Sequence, residues 1–375
     1  MDARKKLPFS INRNDSRPLV RQVEDGLREA VLSGYYRPGD VLPSSRDLAP
    51  MLGVSRIVTE AALRRMRDEG LVAPRPRIGS VVRVPGEKQW RGHVVMVCPE
   101  GDDNYLQTIL AGALRNRLLE EGYLFTQISV RRGSDGKHDF SQLEAALSRS
   151  ADLVVVLYDF TETFRFLAAR KVPFAALRQT PKRPAGAVGF THLAYNHAAR
   201  DFAAECVRLG VREVVEVLWG GNMCDVSKAC AEVGVKVSRR QVRVDVTKGR
   251  LDAVRRAGME FFAKMAETLK TAKRVDGQKN GQAFFIADDY LASGALLALA
   301  EAGLKAPRDM RVATWANAGL APAYPRELSR MELDPVAAGE TVAAAALEYL
   351  ATGQYPEGTV VGPKWVNGET MGGPA

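Results

Sequence analysis

Apolar residues recur at helical spacing in three places within the first 84 residues, and at strand spacing after them. The first helix is predicted over about residues 18–32. A shorter second helix begins near Ser44, with Leu48 and either Met51 or Leu52 facing inward. After the third helix, the segment "EGLVAPRPRIGSVVRV" predicts two short strands around a basic tip. The pattern therefore predicts three helices followed by a two-stranded wing.

The third helix lies in the segment "LGVSRIVTEAALRRM", residues 52–66, and has a buried face and an exposed one. The buried stripe follows the spacing i, i+3, i+4 and i+7 and consists of Thr59, Ala62, Leu63 and Met66. The exposed face carries Arg56, Ile57, Glu60, Arg64 and Arg67. Ser55 is placed to cap this helix, and Gly53 suits the tight turn before it. Two helices joined by such a turn have the spacing of a helix-turn-helix, although an amphipathic hairpin with a solvated basic face fits the same pattern.

From about residue 93 onward, buried strands alternate with amphipathic helices. The clearest predicted strands are "HVVMVCPE", "DLVVVLY", "QVRVDV", "AFFIADD" and "RVATWA". A long helix is predicted from about Arg250 to Ala272. This alternation implies parallel sheets covered on both faces by helices. About 285 residues exceed what one open sheet holds, so two α/β lobes are predicted.

Proline, glycine and charge interrupt the pattern at "VPGEKQWRG", residues 84–92. We therefore predict a first domain over residues 10–84, a linker over 85–92 and a second domain over 93–375. The start, "MDARKKLPFSINRND", is basic but has no apolar segment after it, so we predict a frayed arm and no secretory signal. No run of 18 apolar residues is present, which argues against a membrane span.

Charge is concentrated at one end of the chain. The net charge is +9, of which residues 1–92 carry +7. A basic first domain on a near-neutral second one points to nucleic acid as the partner of the first. The four cysteines form no CxxC pair, so we expect buried reduced thiols in a cytoplasmic protein. The four histidines show no metal-ligand spacing, and neither a metal nor a cofactor is expected.

The first domain resembles the winged helix-turn-helix of GntR-family transcription regulators. Over residues 17–84 it carries that family's Pro-Gly, Leu-Pro-Ser, Gly-Val-Ser-Arg, Ala-Leu, Glu-Gly and closing Gly-x-x-Val motifs. Two positions depart from the pattern: Ile57-Val58 stands where two threonines are frequent, and Glu60 stands where arginine is common. The resemblance implies an operator-binding surface made of Arg46, Ser55, Arg56, Ile57, Glu60, Arg75 and Arg77.

The residue types suit different parts of a DNA duplex. Only side chains near the start of a helix in the major groove reach base edges. Arg56 would pair with guanine, Ile57 would touch a thymine methyl, and Glu60 would accept from a cytosine amino group. Ser55 lies at a helix N-terminus, where a phosphate is favoured. By resemblance, the arginines of the second helix and of the wing would contact the backbone or the minor groove.

The second domain resembles the effector domain of LacI/GalR-type repressors, which is itself similar to periplasmic sugar-binding proteins. The specific segment is "AFFIADDYLASGALLALAEAGLKAPRDMRVATWANAG", and the likeness covers residues 92–375 with a diverged middle. It implies two α/β lobes, a ligand between them at the strand ends, and three crossings of the chain between lobes. We assign residues 93–187 and about 319–353 to the first lobe and the remainder to the second.

The same resemblance implies a set of effector-contacting residues. They are Asp102, Tyr105, Trp219, Lys228, Asp289 and Trp315, with Asp103 beside the first. Each has an ordinary structural alternative: Asp289 would cap the helix that follows it, both tryptophans would be core residues, and Lys228 would lie on a solvated face. Thr191-His192 and Trp315-Ala316-Asn317 depart from the family pattern.

The predicted fold class is α/β: an N-terminal winged helix-turn-helix followed by a two-lobed periplasmic-binding-protein-like domain. The predicted function is a homodimeric, non-enzymatic transcriptional regulator, a repressor by resemblance, that binds double-stranded operator DNA. Its affinity would be controlled by a small-molecule effector, for which the resemblance implies a sugar. The alternative is a GntR-type head on an aminotransferase-like body that binds pyridoxal phosphate, although no lysine stands in a convincing setting for it.

Overall fold

The computed structural model describes residues 7–75, 78–83, 90–99, 105–132, 137–148, 150–220, 226–245, 250–271, 274–275, 278–279 and 281–372. The chain divides into two compact units. One comprises residues 1–93 with 122–124, and the other comprises residues 94–121 with 125–375. We call them the head and the body and describe each by itself. Most of the predicted linker, residues 85–89, lies outside the described residues.

The described part of the head has the element order that the sequence predicts. Its elements are helices α1 (Leu19–Leu32), α2 (Ser45–Leu52) and α3 (Arg56–Asp68) and strands β1 (Val72–Arg75) and β2 (Gly79–Val82). The strands pair antiparallel, with Val72 opposite Val82. The buried residues of α3 are the four of the predicted stripe. In α2 it is Leu52, not Met51, that faces the core.

A buried carboxylate ties α1 to α3. Glu24 is 1% exposed and accepts hydrogen bonds from Arg28 at 2.8 Å and from Arg65 at 3.2 Å. Burial by itself would raise the pKa of Glu24, but the hydrogen bonds from Arg28 and Arg65 and the charge of Arg21 outweigh it and hold the pKa below its ordinary value. A buried charge is tolerated only with such partners, so the cluster fixes the two helices against each other.

The N-terminal segment packs on the head instead of fraying. Leu7, Phe9 and Ile11 lie against the hydrophobic core of the head. Phe9 fits where α1 has no side chain, since a Cβ on Gly26 would lie 2.2 Å from the Phe9 ring. The prediction of a frayed arm is therefore wrong for this part of the segment, while residues 1–6 lie outside the described residues.

The body contains two large sheets, and helices lie between most, but not all, of the successive strands. The first sheet is formed by β3 (Gly92–Pro99), β4 (Tyr123–Arg132), β5 (His138–Asp139), β6 (Leu153–Leu157), β7 (Phe174–Arg178), β8 (Gly189–Leu193) and β16 (Val360–Val361). The second is formed by β9 (Glu213–Leu218), β10 (Lys236–Gln241), β13 (Gln282–Ile286), β14 (Arg311–Asn317), β15 (Ser329–Leu333) and β17 (Lys364–Val366). A separate hairpin consists of β11 (Arg274–Val275) and β12 (Gln278–Lys279).

The helices of the body are α4 (Tyr105–Glu120), α5 (Ser141–Leu147), α6 (Thr161–Ala169), α7 (Asn196–Arg208), α8 (Val226–Glu232), α9 (Arg250–Thr271), α10 (Asp289–Glu301) and α11 (Pro335–Thr352), with a short 3-10 helix at Glu369–Met371. The strand orders are β16-β8-β7-β6-β3-β4-β5 and β10-β9-β13-β14-β15-β17. Among the pairs with an assigned register, neighbours are parallel except for β4 with β5 and β15 with β17 at the sheet edges. The two predicted α/β lobes are thus confirmed as two sheets.

Membership of the two sheets corrects the predicted lobe boundaries. Strand β8 belongs to the first sheet, although it lies after residue 187, and β15 belongs to the second, although it lies within residues 319–353. Helix α11 returns to the first lobe, where it packs against α4. The chain passes between the sheets three times, as predicted: after β8, between β15 and α11, and between β16 and β17.

One predicted strand is misplaced. The segment "QVRVDV" was expected to be a strand, but β10 ends at Gln241, where that segment begins. Strand β10 lies at the edge of its sheet, and most of its side chains are polar, so it lacks the apolar pattern of a buried strand. Val242 and Val244 instead follow the strand and pack on the core of the second lobe. The alternation of valines with polar residues in this segment therefore comes from core packing and not from strand pairing.

The described residues contain neither a membrane-spanning candidate nor a metal-binding cluster. No helix among them is long and apolar enough to cross a membrane. No group of three His, Cys, Asp or Glu residues among them could hold a metal ion. Cys98, Cys206 and Cys230 are buried thiols outside any disulfide, and Cys224 lies outside the described residues.

Helices α9 and α10 cross at two glycines. A Cβ on Gly294 of α10 would lie 1.8 Å from the carbonyl oxygen of Arg255 and 2.8 Å from the amide nitrogen of Met259. A Cβ on Gly258 of α9 would lie 2.3 Å from the carbonyl oxygen of Leu291. Backbone meets backbone at this crossing, so any side chain there must push the helices apart.

We therefore expect Gly294→Ala to lower the free energy of unfolding of the body by about 1–3 kcal/mol, the usual cost of overpacking. Urea unfolding of the full chain, followed by tryptophan fluorescence, measures this change. Gly112→Ala is the matched control, because it is also helical but has no atom within 4 Å of the added Cβ. It should be neutral or stabilising. Equal stability of the two variants would contradict the proposed close packing.

Candidate functional site

The second and third helices of the head are held in a fixed helix-turn-helix. Gly53 ends α2 in the left-handed conformation, with a φ of 63°. The hydroxyl of Thr59 donates to the carbonyl oxygen of Ser45 at 3.0 Å, which joins α3 to the start of α2. Buried Leu48 and Leu63 fill the space between the helices. The orientation of the exposed face of α3 therefore does not depend on any ligand.

The start of α3 presents a cation, an anion and an apolar side chain to solvent. Arg56 donates from Nε to Oε1 of Glu60 at 2.7 Å, and the two side chains are 60% and 42% exposed. Ile57 is 78% exposed. Ser55 occupies the N-cap position, but its side chain makes no capping hydrogen bond. Ile57 therefore contributes nothing to the core, and its side chain is accessible to a partner.

The other predicted contacts of the head are placed less completely. Arg46 is exposed on α2. Arg75 ends β1, and Arg77 lies outside the described residues. The sequence analysis missed Arg13, whose Nη2 donates to the carbonyl oxygen of Gly53 at 2.9 Å. This contact places a further cation beside the turn that leads to Ser55, and no local pattern signals it.

The second sheet carries a buried acid at the carboxyl ends of two neighbouring strands. Asp289 begins α10 directly after β13 and is 4% exposed. Its Oδ2 accepts from Nδ2 of Asn317 at 2.8 Å and from the Asn317 backbone at 3.3 Å, and its Oδ1 accepts from the Tyr290 backbone at 3.1 Å. Asp288, not Asp289, caps the helix, since Asp288 accepts from the amide of Leu291 at 2.8 Å. The structural alternative for Asp289, a simple helix cap, is therefore wrong.

Asn317 leaves an acceptor at this site. The residue is 6% exposed, and its Oδ1 is buried without a hydrogen-bond partner among the described residues. Its Nδ2 is committed to Asp289, so the free atom is the oxygen. A buried unpaired acceptor is costly, which makes this atom suited to a ligand that donates a hydrogen bond. The sequence analysis named Asn317 only as part of a segment that departs from the family pattern, and not as an effector contact.

Tyr105 reaches the same region from the first lobe. Its hydroxyl donates to the carbonyl oxygen of Ala318 at 3.2 Å, one residue beyond Asn317. The pKa of Tyr290 is raised by burial and then by the charges of Asp289 and Asp288, and the backbone of Tyr105 opposes this shift. The structure thus brings predicted Tyr105 and Asp289 together with Tyr290, which the sequence analysis missed, and with Asn317, which it named only as a departure from the family pattern.

The remaining predicted effector contacts lie in different surroundings. Trp315 is 3% exposed and meets Tyr195 edge to face at 5.2 Å, which favours the core interpretation over stacking on a ligand. Trp219 is partly buried against the core of the second lobe. Lys228 is exposed on α8 and lines an open surface depression with Asn196, Ala199, Arg200, Ala229 and Glu232. Asp102 and Asp103 lie outside the described residues.

The altered positions at β8 have structural partners. Thr191 is buried, and its hydroxyl is 2.9 Å from that of Tyr355. Burial raises the pKa of Tyr355 to about 12, with the Thr191 hydrogen bond opposing the shift. The ring of His192 is hydrogen-bonded to the carbonyl oxygen of Gln179 at 3.0 Å. These contacts give Thr191 and His192 structural roles within the first lobe.

Burial raises the pKa of Asp289 to about 6; the charge of Asp288 adds to the shift, and the hydrogen bonds from Asn317 oppose it. Between about pH 4 and pH 6 the folded protein keeps a proton that the unfolded chain has lost. This carboxyl therefore lowers stability as pH rises through that window, by about 3 kcal/mol for a shift of about two pKa units. We expect Asp289→Asn to become more stable relative to the parent between pH 4.5 and pH 7.5.

Urea unfolding of the full chain at several pH values, read by tryptophan fluorescence, tests this expectation. Asp252→Asn is the control, since Asp252 is exposed and its pKa is lowered by hydrogen bonds from Arg256 and Arg255. Its titration lies below that window, so its stability difference from the parent should not vary with pH there. An equally flat difference for Asp289→Asn would show that the Asp289 carboxyl is not perturbed.

Family models match part of each unit. Residues 19–82 match the family described as bacterial regulatory proteins, gntR family, and residues 223–371 match the periplasmic binding protein-like domain. The head is 39% identical over 64 residues to an uncharacterized helix-turn-helix transcriptional regulator of Escherichia coli K12, covering 17% of this chain and 27% of the relative. It is 35% identical over 68 residues to the histidine utilization repressor of Klebsiella aerogenes, covering 18% of this chain and 28% of the relative. The chain thus spans less than a third of the length of these relatives.

The body has the fold of LacI-family regulators. A solved structure of such a regulator from Arthrobacter sp. FB24, in complex with lactose, superposes with a TM-score of 0.55 at 19% identity. The match covers 75% of this chain and 99% of that one. Likeness at this identity concerns the fold. Residues 19–82 are therefore similar to a gntR-family helix-turn-helix domain, residues 223–371 are similar to a periplasmic-binding-protein-like domain, and the body has the fold seen in LacI-family regulators.

Proposed function

We propose that this chain is a DNA-binding transcriptional regulator, acting as a repressor, whose operator affinity is controlled by a small-molecule effector bound in the body. The observation that carries the proposal is the exposed start of α3, where Arg56, Ile57 and Glu60 face solvent on a rigid helix-turn-helix. Side chains at the start of such a helix reach base edges in the major groove. The repressor of Klebsiella aerogenes that matches the head supports the mode of action.

The contacts proposed for DNA follow from side-chain chemistry. Arg56 pairs with guanine, Ile57 contacts a thymine methyl, and Glu60 accepts from a base amino group. Ser55 contacts a phosphate at the helix N-terminus. The backbone contacts come from Arg46, Arg75 and Arg77, and the net charge of +7 over residues 1–92 supports this division of roles.

A homodimer on double-stranded DNA completes the proposal. One reader helix covers only a few base pairs, so useful specificity requires two half-sites and two chains. Operator DNA as the partner implies a cytoplasmic location in a bacterium.

The effector proposed for the body is a sugar or a related polyol. Asp289 and Asn317 supply buried acceptors at the carboxyl ends of β13 and β14, and hydroxyl groups are the donors that match them. The lactose complex of the Arthrobacter protein supports this class of ligand. The aminotransferase-like alternative has no support, because residues 223–371 match a periplasmic-binding-protein-like domain.

DNA binding is tested with a duplex selected by the full chain from a random library and a scrambled duplex of the same composition. We expect Arg56→Ala to weaken binding to the selected duplex by about 1–3 kcal/mol, or ten- to a hundredfold, and to leave the scrambled duplex nearly unchanged. Arg64→Ala, an exposed cation on the same helix, should change both affinities alike. Sedimentation should give two chains on each selected duplex. Equal binding of both duplexes by the parent would refute the proposal.

Effector control is tested with Asp289→Ala and a sugar identified by thermal-shift screening of the full chain. Losing a charged acceptor should weaken sugar binding by about 1.5–3 kcal/mol, while operator affinity without sugar stays close to that of the parent. Asp288→Asn keeps the helix cap and should retain sugar affinity within a few-fold. Calorimetry and operator titrations with and without the sugar provide the measurements. Full sugar affinity in Asp289→Ala would exclude this carboxyl from the ligand site.

A further inference from the structure

We propose that Glu60 is a positioning residue that aims Arg56 at a base and prevents it from serving as a phosphate contact. The inference rests on the proposed function and deepens it, since it assigns sequence specificity at one step of the half-site to the Arg56–Glu60 pair. Glu60 itself discriminates by rejecting bases that offer no donor.

The geometry of the pair leaves the useful part of Arg56 open. Glu60 engages only Nε, at 2.7 Å, one helical turn along α3. The two terminal nitrogens of Arg56 have no hydrogen-bond partner among the described residues. Recognition of guanine requires two donors from one guanidinium, directed at O6 and N7. Because the carboxylate holds Nε, the two terminal nitrogens of Arg56 are the donors that remain for guanine. Glu60 sets the direction in which they point.

The helix that carries the pair is itself fixed. The bond from Thr59 to the carbonyl oxygen of Ser45 and the burial of Thr59 hold the first turns of α3 against α2. Ile57, 78% exposed beside Arg56, has no group that binds a phosphate. In a groove it would exclude water from the pair, and a polar contact between charged groups strengthens where water is excluded. The fork of Arg56 is thus supported on a rigid element.

Electrostatics explains why the carboxylate matters more for selectivity than for stability. A solvent-exposed ion pair one turn apart shifts a folding equilibrium by only about twofold. An unpaired arginine, however, binds phosphates of any sequence and so adds sequence-independent affinity. Each such contact changes the slope of log K against log salt concentration by about −0.9. A carboxylate beside it repels phosphates and opposes that use of the arginine.

The same carboxylate also selects among bases. Cytosine and adenine present an amino donor in the major groove, whereas the major-groove edges of guanine and thymine present only acceptors. A carboxylate placed against an acceptor edge loses its water and gains no hydrogen bond, so those bases are rejected. Arg56 on guanine and Glu60 on an amino-bearing base are therefore compatible, and most other combinations are not.

The test uses the full chain, the selected duplex and the scrambled duplex, with affinities measured between about 50 and 200 mM salt. Glu60→Gln should bind the scrambled duplex more tightly, with a log K against log salt slope steeper by about one, and its preference for the selected duplex should fall at least tenfold. In the double variant Arg56→Gln/Glu60→Gln the slope should return to that of the parent, because the released arginine is the new phosphate contact.

Two controls separate positioning from charge. Asp68→Asn removes an exposed acid from the last turn of the same helix, so it measures the effect of net charge alone. Glu60→Asp keeps the charge but withdraws the carboxylate by one methylene, and it should lose preference without steepening the slope. Thermal unfolding should be nearly unchanged in all variants, since both side chains of the pair are exposed.

The failures of the two proposals are distinguishable. A parent chain that selects no sequence overturns the proposed function. A parent that selects a duplex, with Glu60→Gln matching either the parent or Asp68→Asn in preference and slope, overturns the positioning role and leaves the proposed function intact. Retained preference in Glu60→Asp would show that charge, not geometry, is what Glu60 supplies.

Discussion

Parallel strands cannot be joined by a tight turn, and this constraint organises the whole body. Each pair of parallel neighbours requires a crossover, and helices fill most of these connections. The helices bury central strands such as β3, β6 and β13, which are apolar, whereas the edge strand β10 is polar, and the irregular segments lie at the strand ends. Asp289 and Asn317 meet for this reason, because β13 and β14 are adjacent and end at the same edge.

Two buried acids show how surroundings decide what a carboxylate can do. Glu24 is almost fully buried among three arginines, and the pKa of its carboxyl is lowered despite the cost of burial. Asp289 is buried to a similar degree, has no ion pair among the described residues, and the pKa of its carboxyl is raised. The first arrangement is satisfied internally and joins two helices. Within the part of the chain that the structure describes, the second has no cation to balance the charge of its carboxylate, and a buried acid with a raised pKa is typical of a functional site.

The head and the body use charge in opposite ways. The head is basic, yet it places an acid directly beside the arginine at the start of its exposed helix. The body is close to neutral, and its candidate site presents acceptors without a compensating cation among the described residues. The head is thus suited to an anionic polymer that must be read selectively, and the candidate site of the body to a small donor-rich molecule. The proposed regulator joins these two kinds of recognition in one chain.

The sequence by itself determined the elements and most of the fold class. The buried stripe of α3, the turn at Gly53, the wing and the alternation of strands and helices were all predicted, because hydrophobic periodicity and turn chemistry are local properties. Exposure of Arg56, Ile57 and Glu60 followed from the same periodicity. The marking of Asp289 as a ligand contact came from family likeness, and that role stays a prediction.

Only the tertiary structure decided which distant residues meet. Three contacts show this. Asp289 and Asn317 are 28 residues apart along the chain, Tyr105 and Ala318 are 213 apart, and Arg13 and Gly53 are 40 apart. No local pattern encodes such pairs. The edge strand β10 was not predicted because a strand at an exposed edge needs no apolar pattern. Val242, just after it, is apolar because it packs on the core, and this suggested a strand at the wrong place. Asp288 and Asp289 are adjacent acids, and the sequence alone does not show which of them caps α10. Their division into cap and buried acid is set by the direction in which α10 leaves β13, which is a property of the packed lobe.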